Sequence, residues 1–438
     1  MRVHVRARID RWIVAAAVAA AIATAWAPAA RAQPPPRSAP PDPARPQPRA
    51  SEPSSGQTPD DLSELEEAAA ADQAERDESK PEPSGPGALS SLNPDISFLA
   101  DVAAAWFSSD EPLQGGAHDP QATGFVLQQL EMAVSSPVDP YFRFDANVVF
   151  SEFGVEIEEV TATSLHLPAN LQLRAGQFLT RFGRINPTHP HSWDFVDQPF
   201  ALGRVFGGEG NRGVGAELSW LVPVDRFIEV VGSVTDAAGE EAARSFFGGG
   251  ESEVETPLDF QSTLAVKQFF ELGADLSVLW GLSAATGPNS TGHRNRTDVY
   301  GTDLYVKFRP ITYGSYTILS LQSEWLVRRR QVPDDLLTDI TGYAQGFWRL
   351  DRRWGAAARY EYGSPAYDSD GDVAPDDLDP DWTDHRHRVA LAATFWPTEF
   401  SRVRLQGQAD APTWEDDPIW GAILAFEFTV GPHGAHVF

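Results

Sequence analysis

The stretch Tyr141 to Phe150, YFRFDANVVF, sorts its side chains by parity. Phe142, Phe144, Ala146, Val148 and Phe150 are apolar, while Tyr141, Arg143, Asp145 and Asn147 are their more polar partners. A period of two is that of a β-strand with one face in an apolar medium. The split recurs as Val214, Ala216, Leu218 and Trp220 against Gly215, Glu217 and Ser219. It returns as Leu276, Val278, Trp280 and Leu282 against Asp275, Ser277 and Gly281, and as Tyr300, Leu304, Val306 and Phe308 against Asp303 and Lys307. A soluble sandwich alternates too, so the order of the connections has to decide.

Working outward, the pattern predicts sixteen strands, the first at about 95–107 and the last at 419–430. Short turns follow the even strands: Ser136 to Asp139, Leu167 to Asn170, Val222 to Asp225, Glu271 to Gly273, Pro310 to Tyr313, Asp351-Arg352 and Pro397 to Glu399. Long polar loops follow nearly every odd strand, at 108–123, 182–211, 236–257, 286–297, 329–338, 364–384 and 410–418; only the connection near Glu152-Phe153 is short on that side. Short turns on one rim and long loops on the other are the layout of an all-β, transmembrane antiparallel β-barrel of the outer membrane. Closure is required because lipid cannot satisfy an open sheet edge. A four-bladed propeller of sixteen strands would carry blade repeats, and none is seen. Trp420, Ala422, Leu424, Phe426, Phe428 and Val430 share one phase and Phe438 ends the chain, although Gly431-Pro432-His433-Gly434 interrupts the last strand.

The rest of the 438 residues fits export. Residues 1–32 have an arginine-rich start, the apolar run Trp12 to Ala27 and then Ala30-Arg31-Ala32, the layout of a cleaved signal peptide; a transmembrane anchor is the alternative, disfavoured by the short h-region. Residues 33–92 form a Pro-, Ala- and Glu-rich tether that could reach the cell wall, with one Pro-free stretch at 60–80 suited to a short helix. The barrel occupies 93–438. The absence of cysteine excludes disulfides and thiolate sites. A formal charge of −28, from 34 Lys+Arg against 62 Asp+Glu, excludes a nucleic-acid partner.

The stretch Leu171 to Trp220 resembles the phosphate-selective porin O and P family of outer membranes, which has a G-x-F-x-x-x-F-G segment and then a loop leading into a Gly-rich strand. The matching residues are Gly176, Phe178, Phe182 and Gly183, followed by Arg212-Gly213-Val214-Gly215. The resemblance implies a sixteen-stranded porin, usually a homotrimer, with a helical periplasmic extension. That family's phosphate selectivity is associated with lysine- and arginine-lined pores. This chain has only Lys80, Lys267 and Lys307, so the solute does not transfer.

With one phase facing lipid, the other lines a wet lumen. Arg174, Arg359, Arg402 and Arg404 lie on that phase, and with Arg386 and Arg388 the last three form a basic wall on consecutive strands, either guiding anions or compensated by carboxylates. Loop 182–211 is the longest and third external connection; in general porins the third loop folds inward and sets the constriction. Its candidates are Arg184, Asp194, Asp197, Arg204 and Arg212. His189 and His191 have the chemistry of metal ligands but more often serve as polar packing. Asp368, Asp370 and Asp372 open like a calcium loop, yet Val373 and Asp379 stand where Gly and Glu are required. No metal or other cofactor is therefore assigned. The expected function is a porin, a passive diffusion channel for small hydrophilic solutes or ions. Alternatives are a structural anchor, or a solute- or metal-uptake receptor barrel without channel-type conductance. No G-x-S-x-G elbow or clear catalytic set marks an enzyme.

Overall fold

The computed structural model describes residues 94–431 apart from 152–153, 238–242, 247–253, 255, 293 and 311–315. The expected signal peptide, the tether with its helix, the Glu152-Phe153 connection and Phe438 lie outside the described residues.

Sixteen antiparallel strands form one closed barrel. They are β1 (Asp95–Phe107), β2 (Gly124–Pro137), β3 (Phe142–Ser151), β4 (Gly154–Ser164), β5 (Leu171–Leu179), β6 (Arg212–Leu221), β7 (Phe227–Thr235) and β8 (Gln261–Glu271). There follow β9 (Leu276–Pro288), β10 (Arg296–Phe308), β11 (Ile318–Val332), β12 (Asp335–Arg349), β13 (Trp354–Gly363), β14 (Arg386–Thr398), β15 (Ser401–Pro412) and β16 (Ile419–Val430). Every strand pairs with its sequence neighbours, and β1 closes on β16 through Phe98↔Val430 to Phe107↔Gly421. The ladder therefore has no free edge, the condition for lying in hydrocarbon.

The outward phase carries the apolar residues that parity singled out. Val214, Leu218, Tyr300, Leu304 and Leu424 are exposed. Toward the short-turn rim this face becomes aromatic, with Phe142, Trp220, Phe227, Phe308, Trp348 and Trp354 all exposed at strand ends beside the turns. Such a girdle seats amphipathic rings at the headgroup level. The inward phase is polar. Cross-strand register sets Arg174 opposite Glu217, Glu229 opposite Lys267, Glu361 opposite Arg388 and Arg402 opposite Glu427, so neighbouring charges compensate.

Three register shifts disturb the ladders, one beside the β14–β15 turn between Phe395 and Thr398 and two that add a residue within a strand. Asp101↔Gln129 is followed by Val102↔Leu127, leaving Gln128 extra in β2; Asn147↔Glu159 is followed by Val148↔Ile157, leaving Glu158 extra in β4. Gln128 and Gln129 are both buried, and Glu158 and Glu159 both reach His189 inside the barrel. An inserted residue re-aims a side chain in just this way.

One expected loop needs correction. The stretch 329–338 is a two-residue turn, Pro333-Asp334, with Asp334 at φ 66°, and β11 and β12 run to its edge. Arg330 of that stretch, like Arg328 just before it, points into the lumen, buried, and pairs with a carboxylate of 364–384.

Candidate functional site in the barrel lumen

The connection from β5 to β6, residues 180–211, folds into the lumen. Its two ends are clipped together: Thr180 N donates to Asn211 O at 2.9 Å, the Asn186 amide donates to Thr180 O (2.8 Å) and Asn211 O (3.1 Å), and Asn211 N donates back to Asn186 Oδ1 at 2.6 Å. The first turn rests on a charged cluster. Gly183 N donates to Ser283 Oγ at 3.0 Å, Ile185 N donates to Glu324 Oε1 at 3.0 Å, and Lys267 Nζ donates to Gly183 O. Gly183 adopts φ +60°, and a Cβ there would lie 2.5 Å from Glu324 Oε1. Glycine is thus demanded both by conformation and by approach. The neighbouring Phe182 is buried in a cluster with Ile185, Val205, Phe206 and Tyr343. This explains the Phe-Gly pair on which the family resemblance rested.

Further along, the segment crosses to the wall formed by β13 to β16. Trp193 O accepts from Arg402 (3.0 Å) and Arg404 (3.3 Å), and Phe195 O accepts from Arg404 at 2.6 Å. Asp197, wholly buried, accepts from Arg359 (2.5 Å), Arg388 (3.1 Å) and Gln406 (2.8 Å). Phe200 N donates to Glu361 Oε2 at 2.6 Å and opens the short helix α1 (Phe200–Phe206), every residue of which is buried. Burial opposes ionisation of Asp197, but the Arg359 and Arg388 guanidiniums overcome it and hold its carboxyl below the usual range. Asp194, which accepts from Gln345 at 3.2 Å, is pushed up to about 6 by burial despite Arg402 and Arg184 nearby.

The other external connections fold over the same segment. Asp119, from 108–123, accepts from Gln198 N at 2.9 Å, and Leu113 O accepts from Arg386 (2.6 Å) and Arg388 (2.9 Å). Asp379, from 364–384, receives Arg328 (3.1 Å), Arg204 (3.2 Å) and Arg244 (2.9 Å). Burial raises its carboxyl, and those three cations more than reverse the effect, bringing it to about 2. The acidic loop is therefore partly an internal counter-charge.

The structure places the sequence candidates as follows. Arg359, Arg402, Arg404, Asp194, Asp197 and Arg204 meet around 193–204. Arg359 also pairs with Glu361 (2.9 Å), Arg402 with Glu427 (2.5 Å), Arg404 with Asp101 (2.9 Å), and Arg386 and Arg388 with Asp410 (2.5 and 2.7 Å). The basic wall is compensated rather than bare. Arg184 lies 3.6 Å from the Tyr305 ring centroid and donates to Gln322. Arg174 pairs with Glu217 at 3.1 Å, and Arg212 with Glu156 and Glu209. His189 lies between Glu158 and Glu159, its two nitrogens 3.0 Å from each. Burial alone would lower its pKa; the Glu158 and Glu131 carboxylates reverse that and raise it well above the usual value. His191 meets Glu131 at 3.1 Å and stacks on His189. Asp368 caps its own turn, its Oδ1 accepting from the backbone of Asp370, Gly371 and Asp372. Its two aspartate neighbours do not join it in any cluster of converging ligand atoms among the described residues. Sequence reading missed Asp119, Gln406 and Asp101, whose partners lie 79 to 303 residues away, and Asp410, which meets Arg386 and Arg388 on the adjacent strand.

A closed sixteen-strand barrel, lipid-facing outside and charged within, with its third external connection folded inward, is a porin-like outer-membrane barrel. No protein-family model matches the chain. The outer membrane channel DcaP of Acinetobacter baumannii superposes with a TM-score of 0.51 at 11% identity, over 77% of this chain and 97% of that one. A loop L8 deletion mutant of OmpT, an outer membrane protein of Vibrio cholerae, gives 0.50 at 11% identity, over 78% and 100%. In sequence, an uncharacterized protein of Aquifex aeolicus (strain VF5) is 32% identical over 339 residues, 72% of this chain and 70% of that protein. The chain belongs to the same family as that Aquifex protein.

Proposed function

We propose that this chain is an outer-membrane porin, without catalytic activity, that forms a passive diffusion channel for small hydrophilic solutes or ions, and that segment 182–211 sets its constriction. The observation that carries the reading is the crossing of the lumen by that segment, anchored through Asp197 to Arg359 and Arg388 on the far wall. A barrel built only as an anchor has no use for a polar interior with an inserted, separately clipped segment. Because Arg359, Arg386, Arg388, Arg402 and Arg404 each have carboxylate partners, weak ion selectivity is expected in place of a strong anion preference. The assembly proposed is a homotrimer, to be checked by crosslinking in native membranes.

The test is conductance in planar bilayers of the purified chain and of a variant lacking 187–210 but keeping Asn186 and Asn211. Stable stepwise current that rises on deletion is the expected result; an unchanged current removes the constriction role. A second reading, a barrel that is shut until the segment moves, is favoured by the near-complete burial of Arg328, Arg359, Arg388 and Arg404. It predicts silence in the intact chain and current in the deletion variant. Silence in both, from barrels that migrate as folded on unheated gels, would reject the channel.

A further inference from the structure

Beneath the inserted segment, on the β4 side, a cavity remains whose lining includes His118, Glu158, Thr188, Glu209 and Gly210. About 30 Å³ of it can be occupied by the centre of a water molecule, enough for at least one small bound species. Three ligand-type side chains meet there from three parts of the chain: His118 from 108–123, Glu158 from the β4 bulge and Glu209 from the inserted segment. One ligand atom of each lies within 4.8 Å of the others. His118 Nε2 is buried with no hydrogen-bond partner and stands 3.9 Å from Glu158 Oε1, within ion-pair range but too far for a hydrogen bond. A buried imidazole nitrogen without a partner is costly unless something fills the space before it. Its backbone is fixed, since the Gln128 amide of the β2 bulge donates to His118 O at 3.0 Å.

We infer that His118, Glu158 and Glu209 form a binding site for a divalent transition-metal ion. One imidazole nitrogen with two carboxylates suits zinc-like ions, whereas calcium takes six to eight oxygens. Donors about 2.1 Å from a metal lie ~3.4 Å apart in tetrahedral geometry, so a spread of up to 4.8 Å must contract by up to about 1.4 Å, a movement within reach of glutamate rotamers. The neighbouring set Glu131, Glu158 and His189 also converges within 4.8 Å, but both His189 nitrogens already face carboxylates. It has no nitrogen to offer. Because the ligands come from a strand and two separate inserted connections, an ion here would staple both connections to the wall. The inference does not depend on conduction.

The experiment is binding of Zn²⁺ to the refolded full chain in detergent by calorimetry, with Co²⁺ absorption as a report on nitrogen and oxygen ligation, and with Mg²⁺ and Ca²⁺ as comparators. The expected result is saturable Zn²⁺ binding that weakens at least about tenfold in His118→Ala and in Glu209→Gln. A His385→Ala/His387→Ala double variant, altered at histidines that contact Tyr362 and Tyr360, should bind as the parent does. Mobility on unheated gels certifies the folded barrel for each variant. Absence of Zn²⁺ binding up to about 1 mM, binding undiminished in His118→Ala, or binding lost only in the His385/His387 variant would overturn the assignment.

Discussion

Replacing Asp197 with asparagine should release the inserted segment without unfolding the barrel. The carboxylate is wholly buried, and it accepts from two guanidiniums, Arg359 at 2.5 Å and Arg388 at 3.1 Å, and from the Gln406 amide at 2.8 Å. The substitution keeps the shape but removes the charge, leaving Glu361 and Asp410 as the remaining carboxylates around both arginines. Removing one partner of a buried ion pair costs about 3–5 kcal/mol. All of that cost falls on the inserted pose, because β13 and β14 keep their own ladder from Trp354↔Phe395 to Gly363↔Arg386. At about 1.4 kcal/mol per tenfold change, even 3 kcal/mol multiplies the population of the released segment on the order of a hundredfold. Where reclosing outpaces cleavage, proteolysis reports that population directly. Trypsin cutting after Arg204, buried on α1 in the inserted pose, should therefore accelerate by about the same factor in Asp197→Asn, while heat-modifiable migration of the barrel persists. Cleavage within about twofold of the parent, in a folded barrel, would refute the claim that this pair is the anchor.

Leu391, outward-facing in the middle of β14 and 61% exposed, lies on the lipid face, so Leu391→Arg should destabilise folding into vesicles by about 2–4 kcal/mol in urea titrations; a neutral result would place that face elsewhere. Asp379 is faced by Arg204 of α1, Arg244 and Arg328 of β11, the last shared with Asp339 of β12 and Asp376 of the same loop. Its folded pKa of about 2 lies below the ordinary 3.8, so its stabilising effect is full above pH 4 and disappears as pH falls through 2. The difference of nearly two units amounts to about 2–3 kcal/mol. Asp379→Asn should accordingly speed hydrogen exchange in 364–384 at pH 7, and its gap from the parent in acid unfolding should close below pH 2. A gap independent of pH would assign the effect to packing.

Much of the barrel was legible because a lipid-facing strand must repeat every two residues, and ends such as Asp95–Phe107 and Ile419–Val430 follow from where that repeat stops. The failure at 329–338 has the same root. Arg330 obeys the strand period, but its charge looked like loop composition, because its counter-ion Asp376 lies 46 residues further along the chain. The bulges at Gln128 and Glu158 were hidden as well, since one extra residue in ten leaves the local pattern nearly unchanged. Within the site, the candidates on 182–211 could be named from the loop's length. That Asp197 meets Arg359 and Arg388, more than 160 residues away, could not be read from a single chain without the closed register.

The clip formed by Thr180, Asn186 and Asn211 has a mechanical consequence. The β5–β6 ladder is already closed at Leu179↔Arg212, so the clip joins two chain ends that the wall itself holds together. What hangs from it is a cassette, bounded by its own fastener and bearing no part of the hoop that resists lateral pressure from the bilayer. Its length can change cheaply, since loop-closure entropy grows only with the logarithm of residue number. Two chains with interchangeable hoops could therefore diverge in what they admit by exchanging this one insert.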